Sequence, residues 1–349
     1  MIKAGFFLKI KKIVLVYLFI FQGRLNFPDL TNLNFRIIDF NDYSKNKNLI
    51  FKKDFHKTEK NPFVYNHDFI NICNIIGGKK GIELAKKGIF SWHDNNKFKA
   101  IFFGDTEITA NRIINMIYNF DFINSISTKK EERKLKKILK FNINAFNKFI
   151  FSKNISDYNL LELKSLILIK HISGEEKINN IKIFQMILEK QIDSFAMHRS
   201  YNFLEQAKFI NDISEIISML LNFKYEVPKL LNMTKIKMET TLAQYFHKDG
   251  TIALFNGTSN SNLDKIKLTL VEKQNIRKLY FPDSSNGIYY FEDKNKKIFI
   301  DAVQPTNSLH SKRLSAGTLA IEFSSNKEKI ITNCGAIDRL TGNASYLRY

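Results

Sequence analysis

Apolar residues recur at helical spacing through the middle of the chain and alternate with polar ones near its end, with the change at about residue 250. From Asp68 the pattern predicts a helix through Cys73 to Ile76, capped by Asp68 and stopped at Gly77-Gly78. A second runs from Gly81 to Phe90 and into Ser91-Trp92-His93. Further helices are predicted from Ile108 to Phe122, Glu131 to Phe151, Ser156 to His171, Glu175 to Ile192, Tyr201 to Phe223 and Pro228 to Phe246. In the longest, Leu135, Ile138, Leu139, Ile143 and Phe146 form one stripe. Short connections make sequential helices antiparallel neighbours, as in a bundle, a solenoid or a closed toroid. No repeated motif chooses among the three.

After His247-Lys248-Asp249-Gly250 the period changes. Thr251 to Phe255 is a short apolar run ending at the turn signal Asn256-Gly257. Gly287 to Glu292 and Lys297 to Ala302 flank Asp293 to Lys296 and predict a β-hairpin. Gly317 to Phe323 and Glu328 to Thr332 predict two more strands. Helices followed by strands make an α+β, multidomain chain. Residues 23 to 65 hold Pro28, Pro62 and short apolar pairs, which predict irregular structure with strands at Phe35 to Phe40 and Asn48 to Phe51.

Composition changes this picture in three places. The chain has 349 residues, 44% of them hydrophobic, enough for a large core and against wholesale disorder. Its formal net charge is +20, which favours polyanions of any kind; a codon bias towards Lys gives the same excess. The densest group, Lys129, Lys130, Lys134, Lys136 and Lys137, has no interleaved aromatics, so no nucleic-acid partner is expected. Cys73 and Cys334 have no neighbours at metal-ligand spacing and are expected to be two buried thiols. Lys3, Lys9, Lys11 and Lys12 precede the apolar run Ile13 to Phe21, which suits an export signal or an amphipathic first helix. The run is too short to predict a membrane span with assurance.

Several stretches resemble the heparinase II/III-like polysaccharide lyases. The segment from Asp301, DAVQPTNSLHSKRLSAGTLAIEFSSNKEKIITNCGA, resembles the family's strand ending in Asp, turn, T-L-x-F-E-x-S strand and N-C-G strand. Lys248 to Asn256 resembles its D-G-x-x-x-L-F-N join after the last helix. Gln191 to Asn202 sits where members carry Q-x-x-x-D-G-G-H and a polar patch, with Ala196 and Met197 in place of the two glycines. Trp92, and Glu107 to Ile113, resemble an earlier aromatic and a D-x-T-x-x-R segment. The resemblance implies an N-terminal (α/α) toroid followed by a partial antiparallel β-sandwich. Residues 1–65 would be an N-terminal segment, 66–250 the toroid and 251–349 the start of a sandwich whose remainder is absent.

The resemblance also implies a chemistry. Such lyases cleave uronic-acid glycosides by β-elimination: a base removes the proton beside the carboxylate, an acid protonates the leaving oxygen, and a cation or amide neutralises the carboxylate. The candidate catalytic residues are His198, Arg199 and Tyr201; an ordinary polar helix start reads equally well there. Asn202, Glu205, Glu107, Arg112 and Trp92 are candidate substrate-binding residues, with a plain Glu107–Arg112 ion pair as the competing reading. Gln206 stands where members carry a Tyr, and Ser315 where they carry a His of metal-ligand or catalytic type, with His310 five residues earlier. No cofactor is therefore expected, although a divalent metal in the β-domain is compatible with the family. The expected partner is an acidic polysaccharide in the cell envelope or periplasm, with the cytoplasm as the alternative. A second chain would complete the sandwich. The competing function is a non-catalytic relative that binds glycan or survives as a gene fragment.

Overall fold

A computed structural model describes residues 62–103, 105–174, 181–259, 263–270, 287–303 and 319–334. The N-terminal run to Phe21, the strands expected before residue 52, the helix start at Glu175, and His310 and Ser315 lie outside these residues. The described elements fall into two compact units.

The first unit contains α1 (Pro62–Tyr65), α2 (Phe69–Ile76), α3 (Gly78–Phe103), α4 (Thr106–Tyr118), α5 (Phe120–Asn124), α6 (Lys129–Ile150) and α7 (Leu160–Ile172), with residues 222–225. Helix α4 packs against α6 and α7, and α2 against α3. The stripe read from the sequence of α6 is buried, from Leu135 to Phe146. Helix α3 runs past its expected end at Phe90 because Ala85, Ile89 and Trp92 continue one buried stripe at helical spacing. Helix α4 starts at a cap: Asp105 accepts the N–H groups of Glu107 and Ile108 at 2.7 and 3.2 Å. Reciprocal capping boxes, Thr128 with Glu131 and Asn159 with Glu162, start α6 and α7. Asp68 does not cap α2 as expected. Its backbone is already helical, and its carboxylate accepts from Asn115 Nδ2 at 2.9 Å instead. A side chain on Gly81 would overlap the Cys73 carbonyl, so this glycine permits the close crossing of α2 and α3.

The second unit contains α8 (Ile181–Gln191), α9 (Phe203–Asn222, to residue 221), α10 (Lys229–Gln244), α11 (Leu263–Leu270) and a four-stranded antiparallel sheet in the order β1-β2-β3-β4. The strands are β1 (Ile288–Glu292), β2 (Lys296–Asp301), β3 (Ile321–Ser325) and β4 (Glu328–Ile331). The hairpin expected around Asp293 is present, with Glu292 opposite Lys297. The sheet and the helices before it share one core, although the periodicity changes between them at residue 250. Phe203 of α9 stacks on Tyr245 at 4.7 Å, and Tyr245 and His247 approach Phe299 of β2 at 6.1 and 4.8 Å.

The thiols differ from expectation. Cys73 is buried, and burial pushes its pKa up to about 12. Cys334 is exposed, because it follows the edge strand β4.

Candidate functional site

The polar patch predicted between α8 and α9 is a tightly bonded loop, residues 192–202. Asp193 organises its first half. One carboxylate oxygen accepts the N–H groups of Phe195 and Met197 at 2.9 and 2.8 Å, and the Asp193 N–H donates to the Met197 carbonyl at 2.9 Å. The resulting turn places Ala196 at φ +60°, the left-handed region where a glycine costs nothing and an alanine is strained. The first of the two missing glycines thus marks a real conformational demand. Met197 carries none: its φ is negative and its side chain is fully buried.

Gln206, buried one turn into α9, holds the loop from below. Its Oε1 accepts the His198 N–H at 2.6 Å, and its Nε2 donates to the carbonyls of Ala196 and Met238 at 2.9 and 3.1 Å. Thr241 of α10 adds a bond from its hydroxyl to the Phe195 carbonyl at 2.9 Å. Two of these bonds go to the loop and the third ties Gln206 to α10.

His198 is buried and already engaged. The hydroxyl and the N–H of Ser200 both donate to its Nδ1, at 2.7 and 3.2 Å, which leaves the ring proton on Nε2. Asn202 is an N-cap: its Oδ1 accepts from the N–H groups of Leu204 and Glu205 at 2.8 and 3.1 Å. Its Nδ2 donates to the Asn256 carbonyl at 2.8 Å, and the Asn256 amide donates to Asp301 at the end of β2 at 3.1 Å. The loop is therefore tied to the sheet through two asparagines. Burial raises the Asp301 pKa, against hydrogen bonds from Val303 and Asn256.

Three groups of the loop act on one another. The Arg199 side chain is exposed and donates to the Glu189 carbonyl at 3.2 Å. Tyr201 is half-buried at φ +51°. Burial and the negative Asp193 raise its phenol pKa, while Arg199 lowers it. Burial also raises the pKa of Asp193, against the N–H groups of Met197 and Phe195 and the charge of Arg199; its second carboxylate oxygen is buried without a hydrogen bond. Glu205 pairs with Lys208 at 3.1 Å. Asp193 lies within the stretch Gln191 to Asn202 but is not among the site residues expected from the sequence. The available signal was a carboxylate placed to accept from N–H groups two and four residues on.

The remaining candidates, Trp92, Glu107 and Arg112, belong to the first unit. Trp92 and Arg112 are core residues. The guanidinium lies 4.5 Å from the indole ring centre and donates to Asn142 Oδ1, the Tyr65 carbonyl and Thr109 Oγ1 at 3.0, 3.2 and 2.9 Å. Burial brings its pKa down to about 9, so it remains cationic at neutral pH. Glu107 is exposed at the start of α4, whereas Arg112 is buried in the core. Among the described residues, no group of three or more His, Cys, Asp and Glu side chains could hold a metal.

Comparison with solved structures identifies the fold. The chain has the fold of heparan sulfate lyases of the heparinase III type, a helical domain followed by β-structure. It superposes on a heparinase III crystal structure with a TM-score of 0.60 at 12% identity, covering 97% of this chain and 65% of that one. The heparan sulfate lyase HepC from Pedobacter heparinus gives a TM-score of 0.55 at 12% identity, covering 84% of this chain and 52% of that one. The chain thus spans between half and two thirds of the length of these proteins. No family model and no curated protein matches the sequence.

Proposed function

We propose that the chain is a polysaccharide lyase-type protein directed at uronic-acid-containing acidic glycans, with the α8–α9 loop as its chemical end. The helices would be the (α/α) toroid of such enzymes. The observation that carries this reading is that Asp193, the exposed Arg199 and the half-buried Tyr201 share one tightly bonded loop of a chain with a heparan sulfate lyase fold. In β-elimination the exposed Arg199 guanidinium would neutralise the substrate carboxylate, and the Tyr201 phenol would carry the proton. His198 and Asn202 would position these two rather than touch the sugar, because their polar atoms hold the loop and the helix cap. The net charge of +20 suits an anionic polymer. A cell-envelope or periplasmic setting goes with such a substrate; no described helix is long and apolar enough to cross a membrane.

The test is to incubate the purified protein with heparan sulfate, chondroitin sulfate and alginate and to follow the ultraviolet absorbance of the unsaturated product. Turnover that disappears in Tyr201→Phe supports the reading. A folded protein with no turnover on any of the three sinks it. A second reading, glycan binding without cleavage, is favoured by the burial and existing hydrogen bonds of His198. It expects retention on immobilised heparan sulfate, with binding reduced in Arg199→Ala and no product.

A further inference from the structure

Helices α3 and α6 of the first unit lie side by side. Lys86 meets Glu131 at 3.2 Å, Lys134 meets Asp94 at 3.2 Å, and His93 stands edge-on to Phe141 at 4.9 Å. The carboxylates of the two helices are all taken up by lysines of the same helices. Besides those two pairs, Glu83 is with Lys79 at 3.9 Å and Glu132 with Lys136 at 2.5 Å. Cations are left over. Lys130, Arg133 and Lys137 of α6 are exposed, and among the described residues none of the three is in an ion pair. Their spacing of three and four residues puts them on one stripe, which Lys140, Asn144 and Lys148 continue. From Lys130 to Lys148 the stripe is about 27 Å long, at about 1.5 Å per residue. The exposed acids next in sequence, Asp121 on α5 and Asp157 in the turn before α7, lie outside both helices.

We propose that this stripe is a holding site for an extended acidic glycan, made of residues other than those of the α8–α9 loop and taking no part in cleavage. The choice of partner rests on the reading of the protein as directed at acidic glycans. The stripe itself selects a linear polyanion. Its cations are strung out along one line, so a small anion would meet one or two of them, whereas successive sulfates and carboxylates of a polymer can meet each in turn. Arg133 can hold one such group through two N–H donors, and the lysines act as point charges beside it. Codon bias raises the number of lysines everywhere, but it does not account for a face on which each carboxylate is paired and the unpaired cations share a stripe. Nucleic acid fits less well, because bases need a series of open rings to stack on. In the seam between the helices Lys134 lies over Phe90 at 4.5 Å and His93 covers the edge of Phe141. Phe98 is exposed, but it lies on α3 with Lys97 over its ring at 5.4 Å. A polymer held on α6 stays at high local concentration around the rest of the protein, which is how a non-catalytic site would serve a catalytic one.

The experiment measures binding of a fluorescent, size-defined heparan sulfate oligosaccharide to the full chain over a range of sodium chloride concentrations. One variant carries Lys130→Gln, Arg133→Gln and Lys137→Gln. A second removes the same charge from exposed lysines elsewhere, by Lys229→Gln, Lys237→Gln and Lys327→Gln. The stripe variant is expected to bind about ten-fold more weakly and to flatten the plot of log Kd against log salt by about two, since fewer counterions are released. The second variant is expected to change Kd less than about two-fold, and Arg133→Lys, which keeps the charge, to retain most of the affinity. Equal losses in the two triple variants would overturn the proposal, because attraction would then follow net charge and not the stripe. So would unchanged binding in the stripe variant. Single-stranded DNA or phosphatidylglycerol vesicles bound more tightly than the glycan, and lost with the stripe, would overturn the choice of partner. The lyase reading fails separately: stripe-dependent binding without turnover keeps the holding site and removes the enzyme, and turnover without stripe-dependent binding does the reverse.

Discussion

His247 Nε2 lies 2.8 Å from Glu322 Oε2, and both side chains are fully buried. The pair joins the turn after α10 to the third strand. Glu322 also accepts the N–H groups of Leu254 and Asn333 at 3.0 and 3.2 Å, with Lys329 at 3.6 Å. Ser324 completes the bracket on His247 Nδ1 at 2.9 Å. The Glu and Ser of the T-L-x-F-E-x-S pattern are therefore what fastens the sheet to the turn after α10, and the pattern reads as structure rather than chemistry.

Replacing Glu322 by Ala should destabilise the protein by about 3–5 kcal/mol, since two N–H groups and an imidazole lose their acceptor in the interior. Urea unfolding measures this.

The same carboxylate sets a pH dependence. Burial raises its pKa, but His247, the Leu254 N–H, Lys329 and the Asn333 N–H outweigh burial and hold it below 4.5. A folded-state pKa below the unfolded one gives stability that is complete above about 4.5 and is lost as pH falls through the folded value. Glu322→Gln should remove this slope from a plot of unfolding free energy against pH.

His67 gives a second slope in a different window. It is fully buried, both ring nitrogens lack partners, and it meets Trp92 edge-on at 4.8 Å. Burial, then Arg112 and His93, hold its pKa well below 6.5. The unfolded chain therefore binds a proton that the folded chain refuses, and stability falls as pH drops below about 6.5. His67→Phe should reduce the loss between neutral pH and about pH 5, as read by melting temperature at each pH.

Ala196→Gly should stabilise the loop by about 0.5–1 kcal/mol, the relief of a left-handed alanine less the added freedom of the unfolded chain. Met197→Gly should destabilise by more than about 2 kcal/mol, because it empties a core position that needs no glycine. Denaturant midpoints of the two variants should move in opposite directions. Equal movement would show that the φ value at residue 196 is not under strain.

For a lyase of the proposed kind, Tyr201→Phe should lower kcat at least about 100-fold with little change in KM, as expected for loss of proton transfer. Arg199→Ala should raise KM as well, since it removes the charge that meets the carboxylate in ground and transition states alike.

Helix positions were legible because buried stripes such as Leu135, Ile138, Leu139 and Phe146 repeat locally, and the hairpin because its turn lies between two alternating runs. The site was legible only as a location. That His198, Arg199 and Tyr201 lie in one loop follows from their being adjacent in sequence. Which of them is accessible does not, because Gln206, Ser200 and Thr241 decide it through hydrogen bonds.

The sequence by itself determined the order of helices and strands, the composition of the polar loop and the excess of positive charge, since each is set by residues within a turn or two of one another. Only the tertiary structure decided that Arg112 and Trp92 are core, that the Asn202 amide is tied to Asn256, and that Lys297, Asp301, Glu322 and Ser324 lie on the buried face of the sheet. Each of those outcomes depends on partners many residues distant: Asn142 for Arg112, Asn256 for Asn202, His247 for Glu322. Burial is a property of what the rest of the chain places beside a side chain, and no local pattern encodes it.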